Sequence, residues 1–168
     1  MSEELHHEYP QNAPTLIERE VYPLRWNLCS ANDAPDITGL PSLDYALYLF
    51  DTVKFQLGQS FRFFDEKQFA KRLQEFYHGE PAKMASEYCL WFIQFLLVVA
   101  FGTALLCRSK SAQPPGSQFF VRAMSLMPYH APMWKDSLLA SEVLAMASLY
   151  LYSIDQRESA VLHVSLLR

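Results

Sequence analysis

The sequence predicts an all-α fold, a helical bundle of about six helices. Three observations lead there. Apolar residues recur at steps of three and four through successive stretches. Short breaks rich in Pro, Gly and Ser separate those stretches. No alternating strand pattern of any length occurs. A chain of 168 residues is long enough for one domain with a sizeable core. With 12 Phe, 9 Tyr and 3 Trp, large rings should dominate that core.

Residues 1–40 hold Pro10, Pro14, Pro23 and Pro35 among Asn, Asp and Ser, and no apolar period lasts beyond one turn. They read as a mobile N-terminal arm or linker, pinned by Trp26 and Leu28. The helical domain is expected over residues 41–168. Its first helix starts at Pro41-Ser42, with Leu43, Leu47, Phe50, Val53 and Leu57 on one face and Gly58 near its end. "SFRFF" is an extended link. The second helix opens with Asp65 and Gln68 at capping-box spacing, carries Phe69, Leu73, Phe76 and Tyr77, and stops at Gly79. These two helices are expected to pack on a third, over residues 86–107.

After a loop with Pro114, Pro115 and Gly116, "SQFFVRAMSLM" forms a short fourth helix with Phe120, Met124 and Met127 inward. "DSLLASEVLAMASLYLYS" forms a fifth, capped by Asp136 or Ser137. The polar turn "IDQRES" leads into a sixth, "AVLHVSLLR", which the chain end cuts short, so the bundle is expected to be incomplete at the C-terminus.

The third helix poses the sharpest question. From Tyr88 to Cys107 the chain carries no charged residue, a length that can cross a bilayer, with Arg108 and Lys110 placed as anchors. A small helical membrane protein with spans near 88–107 and 138–154 is therefore the alternative reading. Gln94 inside the stretch and Glu142 inside the second apolar helix weigh against it, because a carboxylate is costly at mid-membrane. Helices apolar all round also lie at the centre of larger soluble proteins.

Composition excludes several classes. Net charge is −4, with 14 Lys and Arg scattered along the chain. That argues against direct nucleic-acid binding, which works through a basic face. Cys29, Cys89 and Cys107 are odd in number and far apart, which suits buried thiols in a reducing compartment. The start "MSEELHHEYP" has no signal-peptide core.

Several stretches together resemble the middle homology region of fungal zinc-cluster transcription factors. The likeness begins at "LPSLDYALYLFDTVKFQLGQSFRFFDEKQFAKRLQEFY", where Phe63, Phe64, Asp65 and Phe69 match the family's step from aromatic pair to acid to phenylalanine. It continues in "LWFIQFLLVVAFGTALL", which is similar to an apolar helix of the form Leu-x-x-Ala-x-Gly. In "GSQFFVRAMSLMP", Gly116, Phe120, Ala123 and Pro128 match. "SLLASEVLAMASLYLYSIDQRESA" is similar to a helix and turn in which Arg157, Ser159 and Ala160 are typical. The likeness spans roughly residues 40 to 162 and rests on the order of motifs rather than on any one of them.

The resemblance implies a fungal-specific regulatory domain, a non-enzymatic module of transcription regulation that acts in the nucleus and responds to a small-molecule effector or a protein partner. It also implies that the opening apolar stretch is a core helix. Two departures stand out. Ser165 and Leu167 occupy positions where the family has glycine and alanine. The six-cysteine zinc cluster that reads DNA is absent, and three distant cysteines cannot hold two metals. DNA contact would thus come only through a zinc-cluster domain outside this chain. The chain is expected to be the N-terminal part of such a domain, a fragment. Val161, Val164 and Leu167 would then form an apolar surface that self-associates or meets a partner polypeptide carrying the missing helices.

No catalytic, cofactor-binding or metal-binding residue is assigned. Adjacent His6, His7 and Glu8 resemble a clamp, but neighbouring side chains on an arm diverge. His163 reads as a packed imidazole. Glu142 is expected either to pair with Arg122 or Arg157, to flank a ligand cavity, or to lie on the less buried face of its helix. Cys89 and Cys107 are expected in the core. No Gly-rich phosphate loop, nucleophile elbow or His-Glu-x-x-His occurs, so an enzyme is not expected.

Overall fold

The computed structural model describes residues 24–29, 34–58, 64–107, 113–127 and 137–154. Among them the chain is all-α, with helices α1 (Leu43–Leu57), α2 (Glu66–His78), α3 (Pro81–Glu87), α4 (Cys89–Leu106), α5 (Ser117–Ser125) and α6 (Ser137–Ser153).

Local chemistry sets the ends of the first two helices. The Ser42 hydroxyl accepts from the Tyr45 amide at the start of α1. The Asp65 carboxylate accepts from the Lys67 and Gln68 amides at 3.0 and 3.1 Å. Each cap satisfies amides that a helix start leaves without partners. The buried stripe of α1 is Ala46, Leu49, Phe50, Val53 and Leu57. It is turned slightly from the expected one, leaving Leu43 and Leu47 half-buried. Phe69, Leu73 and Phe76 of α2 are buried as expected.

The helix expected from residue 86 is two helices. Pro81 starts α3 at a position where its missing N–H costs nothing. Tyr88 then departs from helical geometry, and α4 begins at Cys89. Helix α4 is the axis of the fold. Its twelve consecutive residues from Trp91 to Gly102 are all buried, so every face is covered. Helices α1, α3, α5 and α6 pack directly on it, and α2 reaches it with aromatic rings.

Contacts give the direction of each helix. Gly116, before α5, lies against the Ala100 backbone, while Leu126, after α5, lies beside Cys89. Helix α5 therefore runs antiparallel to α4. Glu142 meets Gln94, and the Tyr150 hydroxyl donates to the Pro115 carbonyl at 3.1 Å. Helix α6 therefore runs parallel to α4. Gly102 sits where an added Cβ would lie 3.0 Å from Leu49 Cβ, which lets α1 and α4 approach closely.

Of the segment expected as an arm, residues 24–29 and 34–40 lie on the bundle. Leu24, Trp26, Ile37 and Leu40 pack against the core, and the Trp26 ring meets Phe120 edge-on at 5.9 Å. Leu28, the other expected pin, is exposed. The link around Phe63, the Asp136 cap, and the sixth helix with His163, Ser165 and the Val161, Val164 and Leu167 surface lie outside the described residues.

Candidate functional site

Gln94, 2% exposed on α4, places a side-chain amide in the interior of the bundle. Its Nε2 donates to Oε2 of Glu142 on α6 at 2.9 Å. Glu142 is half-buried, and loss of hydration pushes its carboxyl pKa up. The Gln94 hydrogen bond works the other way by favouring the ionised form. The nearby negative charge of Asp65, the cap of α2, adds to the rise. Gln94 of α4 and Glu142 in the first turns of α6 thus form one polar contact between two apolar helices.

The partners expected for Glu142 are not those found. Arg122 points elsewhere: its Nη1 donates to the Thr38 carbonyl at 2.7 Å and its Nη2 lies 3.2 Å from Asp36 Oδ2. It ties the 34–40 segment to α5. Arg157 lies outside the described residues. Gln94, which the sequence offers only as a blemish in an apolar run, is the partner. A signal existed in retrospect, since both helices carry a single long polar side chain within an otherwise apolar stretch.

Beside this point lies an aromatic cluster. Phe69 stacks on Phe50 at 4.5 Å and touches Phe64 at 5.6 Å. Trp91 meets Phe69 at 6.1 Å, Phe76 at 5.7 Å and Phe95 at 5.9 Å. Such ring pairs add about 0.5–1.5 kcal/mol each beyond area burial. The indole Nε1 of Trp91 is buried without a hydrogen-bond partner, a penalty of about 1–3 kcal/mol that the ring packing offsets. At the edge of the cluster the Tyr77 hydroxyl donates to the Pro41 carbonyl, joining α2 to the start of α1. Desolvation pushes this phenol up to about 12.

The thiols divide. Cys89 is half-buried and desolvation raises its pKa, which makes it a poor nucleophile. Cys107, expected in the core, is exposed. It caps the C-terminal end of α4, beyond the turns that other helices cover. Cys29 is also exposed. His6, His7 and Glu8 lie outside the described residues. Among the described residues no three His, Cys, Asp or Glu side chains gather closely enough to hold a metal ion.

The Gln94–Glu142 pair can bind a proton and can fix the register of α6 on α4. Comparison with family models, with curated proteins and with solved structures finds no match for this chain.

Proposed function

We propose that this chain is a non-enzymatic regulatory module of a fungal transcription factor, working in the nucleus and responding to a protein partner or a small-molecule effector. The reading rests on the sequence resemblance to the middle homology region of zinc-cluster regulators. One observation supports it: the described parts of the stretches that carry the resemblance form α1, α2, α4, α5 and α6, packed about a helix apolar on every face. In such a module an effector acts by binding one packing of the bundle better than another. DNA contact would belong to a zinc-cluster domain outside this chain, consistent with the net charge of −4.

The test is a reporter assay with the chain fused to a heterologous DNA-binding domain in yeast. Reporter output should depart from that of the DNA-binding domain alone, and a destabilising Gly116→Ala change should reduce the departure. A reporter indifferent to the fused chain overturns the proposal.

A second reading, a small helical membrane protein, has one observation in its favour. Helix α4 is long and apolar enough to cross a membrane, and α6 contains a shorter apolar stretch. Against it, 67% of the α4 stretch is buried against the rest of the chain rather than free to face lipid. Flotation of the expressed chain with liposomes separates the readings: a soluble regulatory module stays at the bottom of the gradient.

A further inference from the structure

The face of α1 turned away from the core is a second distinctive surface. Ala46, Leu49, Phe50, Val53 and Leu57 point inward. At 100° per residue, the opposite side of the helix carries Asp44, Tyr48, Asp51 and Phe55, with Tyr45 and Thr52 beside them. Three of these are large rings in water: Tyr45 is 45% exposed, Tyr48 54% and Phe55 88%. Tyr45 and Tyr48 stack on each other at 6.2 Å. An exposed Phe on its own would be unremarkable, but three rings along one helix face form a strip.

Carboxylates outnumber cations along the strip. Helix α1 carries Asp44 and Asp51 against a single cation, Lys54, while Asp36 before it is paired with Arg122. Lys54 is shared between Asp51 and Glu66, each at 3.2 Å, so one ammonium serves two carboxylates and a negative excess remains. Asp44 stands beside the rings in the first turn of α1. Aromatic faces flanked by carboxylates suit one side chain above others. The arginine guanidinium is planar, stacks on rings and forks onto a carboxylate, while its stem covers apolar surface. The same charges disfavour nucleic acid, an anionic membrane and a like-charged second copy of this face.

We infer that the outward strip of α1, built from Tyr45, Tyr48 and Phe55 between Asp44 and Asp51, docks a partner polypeptide that presents arginines beside apolar side chains. The inference does not depend on the transcriptional reading, because it follows from the surface of α1 alone.

The experiment is fluorescence anisotropy with the full 168-residue chain and three labelled probes: an amphipathic peptide carrying Arg and Leu on one helical face, its Lys analogue and its Glu analogue. The Arg peptide should bind, the Lys analogue should bind more weakly, and the Glu analogue should not bind. Tyr48→Ser/Phe55→Ser and Asp44→Asn/Asp51→Asn should each weaken the Arg peptide by about tenfold, the loss of two cation–π or charge contacts. All four positions are on the surface, and circular dichroism verifies that the fold is kept; Phe55→Ser alone, at the most exposed ring, provides a milder second variant. Absence of binding, as a strip already covered by the chain would give, overturns the inference. So do equal binding of the Arg and Lys peptides and undiminished binding by the variants. A dimer that Phe55→Ser converts to monomer would also overturn it, by assigning the strip to self-association.

Discussion

Gly116→Ala should be among the most damaging single-methyl additions in this protein. The residue sits at φ +77°, in the left-handed region, directly before α5. An alanine there carries a backbone strain of about 1–3 kcal/mol. The second cost is steric. An ideal Cβ at this position would lie 2.3 Å from the Ala100 carbonyl oxygen and 2.8 Å from the Ala100 Cα, where ordinary contact begins at 3.4 Å. The obstacle is helix backbone at the buried centre of α4, which cannot rotate away as a side chain could. Opening the α4–α5 approach by about 1 Å resembles overpacking of a core, a further cost of about 1–3 kcal/mol. Together these give about 2–6 kcal/mol, or a fall in Tm of roughly 10 °C for a domain of this size. Gly39→Ala is the control. Gly39 has φ +64° but nothing within 4 Å of an added Cβ, so it suffers the strain without the clash. Urea or thermal unfolding followed by circular dichroism measures both variants. If Gly116→Ala loses no more stability than Gly39→Ala, the close approach of α5 to α4 is wrong.

Phe50→Ala and Phe69→Ala should each cost about 3–5 kcal/mol, since both rings are 3% exposed and stacked on one another; an unchanged Tm in both would refute the α1–α2 packing. The Tyr77 phenol should titrate near 12 by ultraviolet difference spectroscopy. Its folded value lies above the ordinary 10.0, so the stability it contributes is complete below about pH 10 and falls as pH rises toward 12; Tyr77→Phe should remove that fall. The Glu142 carboxyl is raised above 4.5, so the folded chain holds this proton longer than the unfolded one. Stability should therefore decline as pH climbs through 4.5 to the raised value, then level off. Glu142→Gln should flatten that step and raise Tm at pH 7, and a lower Tm at pH 7 would contradict a charge-penalised pair.

The all-α character was determined by the sequence itself. Spacing of Leu73 and Phe76 after Phe69, the Asp65 cap and the Pro114–Gly116 break are local features, and local features act through the 3.6-residue period and the chemistry of helix ends. The inward rings of α2 and most of those of α1 were legible for the same reason. Helix α3 was not, because "EPAKMASE" has too few apolar residues to show a period; buried Ala85 and half-buried Met84 mark its inner side. The uniform apolarity of residues 88–107 could say only that a helix was surrounded, not by what. Water-free surroundings of either kind reward the same composition. Which helices cover α4 depends on contacts far apart in the chain, such as Gly116 on Ala100 and Tyr150 on Pro115. Glu142 shows the same division most sharply. An acid within an apolar helix announces itself in the sequence, yet its partner is chosen by the rotation and register of α6 on α4. Those are fixed by packing across the whole interface, so Gln94 rather than Arg122 meets the carboxylate.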